Sequence, residues 1–195
     1  MIELNTERLR LIPLSAENLK LLIDNPKKME LRLSLSESNR FLSLELKQAM
    51  ETRLSKLLID KENYIWYTNW LIVSKDKNCN VGGIMLKGLP NENGEVVIGY
   101  YTLPEYQGNG YMTETVNNMK NWLLNQTGVM YVIADTDKDN IPSHKVLEKL
   151  GAEMYKETDE LYFWRFGRNP FTEKNNEESS FYSNGSSLRH QYNVD

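Results

Sequence analysis

The spacing of apolar residues changes several times along this chain, and each change predicts an element. Residues 95–103, Glu-Val-Val-Ile-Gly-Tyr-Tyr-Thr-Leu, are rich in β-branched and aromatic side chains and read as a strand closed by Pro104. Beyond the next turn, Met112, Thr115, Val116, Met119, Trp122, Leu123 and Gln126 recur at helical spacing. Residues 129–134 read as a second buried strand, and a second helix follows it. Asn140 is suited to cap that helix and Pro142 to its first turn; Val146, Leu147 and Leu150 form its apolar face, and Gly151 stops it. A strand–loop–helix unit therefore occurs twice in tandem, both helix starts facing the same end of one sheet.

The flanking pattern is simpler. Residues 7–14 predict a strand, and Ser15 can cap a helix carrying Leu19, Leu22 and Ile23. Residues 37–60 predict one or two helices with Leu46, Ala49, Met50, Leu54, Leu57 and Leu58 on one face. Residues 65–73 and 81–87 predict an antiparallel pair in which Gly82 and Gly83 mark a bulge or a close approach. Residues 153–158 and 161–166 predict a closing hairpin that turns at Asp159 and Glu160. Residues 1–166 thus read as one domain. Residues 167–195, dominated by Asn, Ser, Glu and Gly, read as a polar tail, disordered or docked through Phe171, Phe181, Tyr182, Leu188 and Tyr192.

The loop between the first strand and its helix carries the chemistry. In Gln107-Gly-Asn-Gly-Tyr-Met-Thr113, two glycines precede a helix start, where unpaired N–H groups and the positive end of the helix dipole attract anions. The loop is a cradle for a phosphate or pyrophosphate, or merely a tight turn. A Walker loop is excluded because Gly-Lys-Ser/Thr occurs nowhere. The Rossmann fingerprint fails because Thr113 stands where a third small residue belongs and because the loop lies past the middle of the chain.

Composition narrows the classes. With 27 acidic and 23 basic residues the formal charge is −4, which disfavours a dedicated nucleic-acid surface and suits a cationic amine. Cys79 is the single cysteine, so no intramolecular disulfide forms, and with only His144 and His190 a Cys–His nucleophile is not expected. No stretch approaches the ~20 apolar residues that span a bilayer, and no early run has signal-peptide form. A cytoplasmic protein, without membrane or metal partners, is the expectation.

Both loops together resemble the GNAT superfamily of acetyl-CoA-dependent N-acetyltransferases. Gln107-Gly-Asn-Gly110-Tyr-Met112 follows its pyrophosphate signature except at the last position, and Asn140, Ser143, Val146, Leu147, Glu148, Lys149, Leu150 and Gly151 follow its second signature. The opening Thr6-Glu-Arg-Leu-Arg-Leu-Ile-Pro-Leu14 is similar to the first strand of the branch that acetylates ribosomal-protein N-termini and small amines. The resemblance implies an α/β fold: a mixed, mostly antiparallel twisted sheet of about six to seven strands, flanked by helices. It also implies acetyl transfer to a primary amine by direct attack, in a monomer or homodimer.

The same resemblance assigns roles. Acetyl-CoA is expected between the two strands, its pyrophosphate on the N–H groups of Gln107, Gly108, Asn109, Gly110, Tyr111, Met112 and Thr113. Its pantetheine arm would pair with Tyr101, Thr102 and Leu103, one N–H there serving as oxyanion donor, and with Asn140 and Ser143. Because a lysine amine titrates near ~10.4 and an α-amine near ~8, a base must help at neutral pH; Glu95 is the candidate, although the branch places its glutamate where Val97 stands. Ser143 is the candidate proton donor, with Tyr100, Tyr101 and Tyr106 as alternatives, since Leu147 occupies the place of the usual tyrosine. Trp66, Tyr67 and Trp70 are expected to line part of the acceptor site. Met112, Val97 and Leu147 also permit another class of protein, a CoA-binding sensor or interaction module without catalysis.

Overall fold

A computed structural model describes residues 2–38 and 42–167; of the polar tail only Gly167, the last residue of the final strand, lies within them. Within this span the strands are β1 (Leu4–Asn5), β2 (Leu9–Pro13), β3 (Asn69–Ser74), β4 (Cys79–Leu86), β5 (Glu95–Thr102), β6 (Tyr131–Asp137), β7 (Glu153–Glu157) and β8 (Leu161–Gly167). They form one eight-stranded sheet in the order β1-β2-β3-β4-β5-β6-β8-β7, antiparallel throughout except for the central β5–β6 pair. The architecture is the mixed, mostly antiparallel one anticipated, with slightly more strands. The extra pairing comes from two-residue β1, too short for a periodicity to register.

The helices are α1 (Ala16–Asp24), α2 (Pro26–Arg32), α3 (Leu44–Ile59), α4 (Tyr64–Tyr67), α5 (Tyr111–Leu124) and α6 (Ile141–Lys149). Ser15 and Ser43 cap α1 and α3 by accepting the N–H of the third residue on, as serine does where a first turn lacks acceptors. Asn25 does the same for α2, with Pro26 in its first position. The sequence pattern missed α2 because it buries only Met29 and Glu30. It also extended the third strand too early: residues 64–67 form one helical turn, fastened by the Trp70 indole N–H donating to the Ile65 carbonyl at 2.9 Å.

Two apolar cores lie on opposite faces of the sheet. One gathers α5 and α6 over the central strands, with Ile98, Val116, Met119 and Leu147 buried; the other gathers α1, α2 and α3 over β2 and β3, with Leu19, Leu22, Met50, Leu57 and Leu71 buried. In α6 the fully buried residues are His144 and Leu147, while Val146 and Leu150 are half-buried. In α3 the predicted face is narrower than expected, since Ala49 and Leu58 are exposed. Trp70 and Trp66 stack on Trp122, ring centroids 5.3 and 6.0 Å away, inside the α5 core. Trp66 and Trp70 are buried packing residues, and Tyr67 lines a cavity of about 260 Å³.

Gly82 and Gly83 combine both expectations. The β3–β4 register slips there, leaving Val81 as the extra residue of a bulge. A Cβ on Gly82 would lie 2.4 Å from the Tyr101 carbonyl oxygen, and one on Gly83 would lie 2.6 Å from the Tyr101 ring. The two glycines thereby let β4 lie tightly against the end of β5.

Candidate active site at the strand separation

β5 and β6 pair from Glu95↔Tyr131 to Ile98↔Ala134 and then part. Beyond that point β5 stays with β4 as far as Thr102↔Gly82, whereas β6 stays with β8 as far as Asp137↔Leu161. The separation leaves one edge of β5 without a neighbour. Lys87 donates its N–H to the Val97 carbonyl at 2.8 Å and Leu103 donates to Val81 at 3.0 Å, so odd-numbered residues of this strand bond toward β4. By alternation the backbone groups of Tyr100 and Thr102 face the gap. The Leu103 N–H, expected to meet a ligand, is thus spent on β4.

After β5 a single tight turn, Pro104–Tyr106, leads into the glycine loop. Gly108 and Gly110 have φ of 76° and 75°, a left-handed conformation that only glycine adopts without strain. A Cβ on Gly108 would meet nothing within 4 Å, so backbone shape, not crowding, requires glycine. Gly110 caps α5 with no side-chain bond, and Glu114 is the first residue whose N–H returns to the helix, at 3.2 Å to the Gly110 carbonyl. The N–H groups of Tyr111, Met112 and Thr113 therefore converge unpaired on the gap, as an anion cradle requires.

Arg8 holds this loop in place, a role the sequence pattern did not assign. Its Nε pairs with Glu114 Oε2 at 2.7 Å, its Nη1 donates to the Asn109 carbonyl at 3.1 Å, and its guanidinium lies 5.0 Å over the Tyr111 ring. Burial pushes the Glu114 carboxyl up, but hydrogen bonds from Thr6 and from the Arg8 N–H and guanidinium, with the guanidinium charge, leave it below its ordinary value. The Asn109 side chain donates to the Tyr106 and Gln107 carbonyls and braces the loop from outside.

The cleft between these parts encloses about 510 Å³. It brings together, of the predicted residues, Tyr101, Thr102, Gln107, Gly108 and Gly110 on one side. Tyr111, Met112 and Thr113 close the helix end, and Asn140 and Ser143 stand opposite on α6. Leu103 and Asn109 do not line it. Met112 turns its side chain into the core, 8% exposed, and so clears the helix start that a smaller residue would otherwise be needed to open. Asn140 uses Oδ1 to accept the Ser143 N–H at 3.2 Å, which leaves its Nδ2 donor for the cleft.

Tyr100 also lines the cleft, with a buried hydroxyl that has no well-formed hydrogen bond. Burial pushes it up to about 12, with Ser143, its polar neighbour, pulling the other way. Tyr106 is committed elsewhere, its hydroxyl 3.2 Å from Cys79 Sγ. His144 is held by the Asp137 carbonyl at 3.0 Å and packs on Tyr162 and Trp164. Among the described residues no group of three metal-binding side chains assembles, and no helix is long and apolar enough to cross a membrane.

Glu95 stands apart from the gap. It lies four residues before Gly99, roughly 13 Å along the strand, and its carboxylate accepts from Asn91 Nδ2 at 2.8 Å. The carboxylate that does stand at the gap is Asp135, one residue beyond the last β5–β6 pair, on the face away from α5. Lys87 crosses β5 to reach Asp135 Oδ1 at 2.6 Å. The only sequence signal for this residue was its place at the end of a buried strand.

Comparison with known proteins agrees with this geometry. The family described as acetyltransferase (GNAT) domain matches residues 8–153. An uncharacterized N-acetyltransferase of Bacillus subtilis (strain 168), YjdG, is 33% identical over 109 residues, 56% of this chain and 65% of its own. A second from the same organism, YnaD, is 28% identical over 80 residues, 41% of this chain and 46% of its own. The matched region thus spans less than two thirds of either relative. A ribosomal-protein-S5-alanine acetyltransferase from Vibrio fischeri superposes with a TM-score of 0.62 at 16% identity, over 87% of this chain and 98% of its own. RimL, a ribosomal L7/L12 α-N-protein acetyltransferase solved in complex with coenzyme A, superposes with a TM-score of 0.61 at 13% identity, over 85% and 98%.

Proposed function

This chain belongs to the GNAT acetyltransferase family, and from that premise we propose that it transfers an acetyl group from acetyl-CoA to a primary amine. The observation that carries the proposal is the loop: two left-handed glycines aim three unpaired N–H groups at the mouth of a cleft, and that cleft opens where two parallel strands part. The parts fit the cofactor. The Tyr111–Thr113 N–H groups and the helix dipole suit a pyrophosphate, the free edge at Tyr100 and Thr102 suits an extended amide arm, and Asn140 Nδ2 supplies a donor across the cleft. Bound acetyl-CoA supplies an acyl group already activated as a thioester.

The chain's own residues do the rest. The Tyr100 N–H, pointing into the gap, can donate to a carbonyl oxygen as negative charge develops on it. Asp135, with Oδ2 left over from its Lys87 pair, is placed to take the proton of an amine that arrives on the face away from α5. Tyr100 stabilises a departing thiolate as a hydrogen-bond donor and not as the proton source. A thiol near ~8.5 and a phenol at about 12 differ by roughly 5 kcal/mol. The leaving thiolate takes its proton from solvent water in the open cleft, and Ser143, half-buried beside Tyr100, is placed to relay it.

Asp135 and Tyr100 weigh against the CoA-sensor reading, because they supply groups that Val97 and Leu147 lack. The test is calorimetric titration with acetyl-CoA, CoA and ATP in parallel. Micromolar binding of both CoA species without ATP binding is expected, followed by acetylation across an amine panel. Absence of CoA binding would falsify the proposal, and binding without any turnover would favour the sensor.

A further inference from the structure

The 260 Å³ cavity that Tyr67 lines opens between α3 and the end of β4, on the side of the sheet away from α5. It is smaller than the ~300–1,000 Å³ pockets that enclose a whole ligand, so it suits one end of a molecule. Its wall is cationic: Arg53, Lys56 and Lys87 line it, and among the described residues no acidic side chain does. Lys87 is balanced by Asp135 at 2.6 Å, and Lys56 is exposed to water.

Arg53 has neither relief. It is half-buried, and among the described residues no ion pair reaches it. Its Nη1 donates to the Leu86 carbonyl at 3.0 Å, one residue beyond the last β3–β4 pair, Asn69↔Met85. That bond uses one of the five N–H donors of a guanidinium. Nε and Nη2, whose N–H groups run parallel along one edge, keep the fork that grips a carboxylate with two bonds. Burial pushes the guanidinium below its ordinary value, and the ionisable group that opposes this is the Tyr101 phenol, not a carboxylate. A partly buried charge without a counter-charge is costly, and capping one carbonyl does not call for it, since an amide donates the same bond.

The cavity and Asp135 share one surface. Leu86, Ile98 and Ala134 stand in register across β4, β5 and β6. With neighbouring strands ~4.8 Å apart, the cavity's β4 wall lies roughly 10 Å from Asp135, the residue after Ala134. Ile98 is turned into the α5 core, so by alternation Gly99 faces this surface and puts no side chain in the way. The Lys87 side chain runs across the same ground, from the cavity to the carboxylate.

We propose that this cavity binds a carboxylate at the far end of the amine acceptor, gripped by the free edge of Arg53 with Lys56 beside it. The inference rests on the acetyltransferase reading, in which the acceptor nitrogen stands at Asp135 and gives up its proton there. The acceptor class is then an aminocarboxylate whose two groups are separated by a spacer of several carbons. An α-amino acid is too short to reach both places, and the cationic wall repels the second charge of a diamine.

The experiment titrates the full chain at neutral pH, without cofactor, with ω-aminooctanoate, ω-aminooctanol and octanediamine, which share one reach and differ in the far end. The aminocarboxylate is expected to bind about tenfold or more tightly than the amino alcohol, as a charge-assisted pair allows, and the diamine more weakly than either. Arg53→Gln should bring the aminocarboxylate down to the level of the amino alcohol without moving the amino alcohol itself, a selectivity that loss of a merely structural bond would not change. Arg53→Lys, which keeps the charge and loses the fork, should recover only part of the preference. Ala49→Phe, which fills the cavity from an exposed position on α3, should abolish the preference too, and it decides the matter if the Arg53 variants do not fold. No preference for the aminocarboxylate, or a preference unchanged by Arg53→Gln and Ala49→Phe, overturns the proposal. Selective binding of the aminocarboxylate without any acetyl-CoA binding would instead sink the acetyltransferase reading and leave the carboxylate site standing.

Discussion

Replacing Gly110 by alanine tests whether the left-handed loop is what makes the anion cradle. The new Cβ would have Arg8 Nη2 as its nearest neighbour at 3.6 Å, an ordinary contact, so no clash contributes. The cost is conformational: an L-residue at φ 75° is strained by roughly 1–2 kcal/mol. If the loop keeps its shape, that strain appears as lost stability, on the order of 2–8 °C in Tm for a chain of this size. If the loop relaxes, stability is spared and the N–H groups turn. Losing one charge-assisted bond costs roughly 1.5–3 kcal/mol, or about ten- to a hundredfold in Kd. Thermal unfolding and acetyl-CoA calorimetry on the same samples separate the two routes. Gly110→Asn, whose side chain tolerates this region, should recover most of whichever property alanine loses. Wild-type Tm together with wild-type affinity in Gly110→Ala would refute the reasoning outright.

Other variants address the remaining parts. Asp135→Asn should lower kcat by about a hundredfold or more with acetyl-CoA affinity intact, whereas Glu95→Gln should leave turnover near wild type; the reverse pattern would return the role of base to Glu95. Tyr100→Phe removes a buried hydroxyl without a well-formed partner, so urea unfolding should show unchanged or slightly raised stability. Its kcat should nevertheless fall, and because the phenol titrates only at about 12, the wild-type rate profile should carry no alkaline limb from it below pH 11. Glu114, held below its ordinary 4.5, contributes stability that is complete above that value and lost as pH falls through the lower folded value. The urea-midpoint gap between wild type and Glu114→Gln should accordingly close between pH 5 and pH 3.

What the sequence made legible follows from the range of the interactions involved. The glycine loop and the Asn140 cap are local: a φ near 75°, a helix start and a side chain bonding three residues ahead are all set within a few positions. Long periodic segments such as α5 declared themselves for the same reason. The groups that were missed depend on distant pairing. Arg8 meets Glu114 across more than a hundred residues, and Lys87 meets Asp135 across 48. Glu95 drew attention by sharing the strand, yet its distance from the gap is set by where β6 leaves β5.

The point of separation explains why these distant groups gather. A strand edge without a neighbour exposes backbone donors and acceptors that folded proteins ordinarily pair, cover or charge. Here Gln107 Nε2 lies 3.4 Å from the Thr102 carbonyl at one end of the gap, and the Lys87–Asp135 pair spans it on the opposite face. What stays open between them is the edge from Tyr100 to the Thr102 N–H, flanked by the N–H groups of α5 on one face and by the Asp135 carboxylate on the other. A linear ligand with an anionic end suits that edge from the α5 side. The parallel β5–β6 pair makes this possible because its crossover helix, α5, must start just beyond the end of β5. The unpaired edge and the anion cradle are therefore two results of one topological choice: the β4 register decides which backbone groups of β5 face away from β4, and the point where β6 leaves decides how many of them stay uncovered.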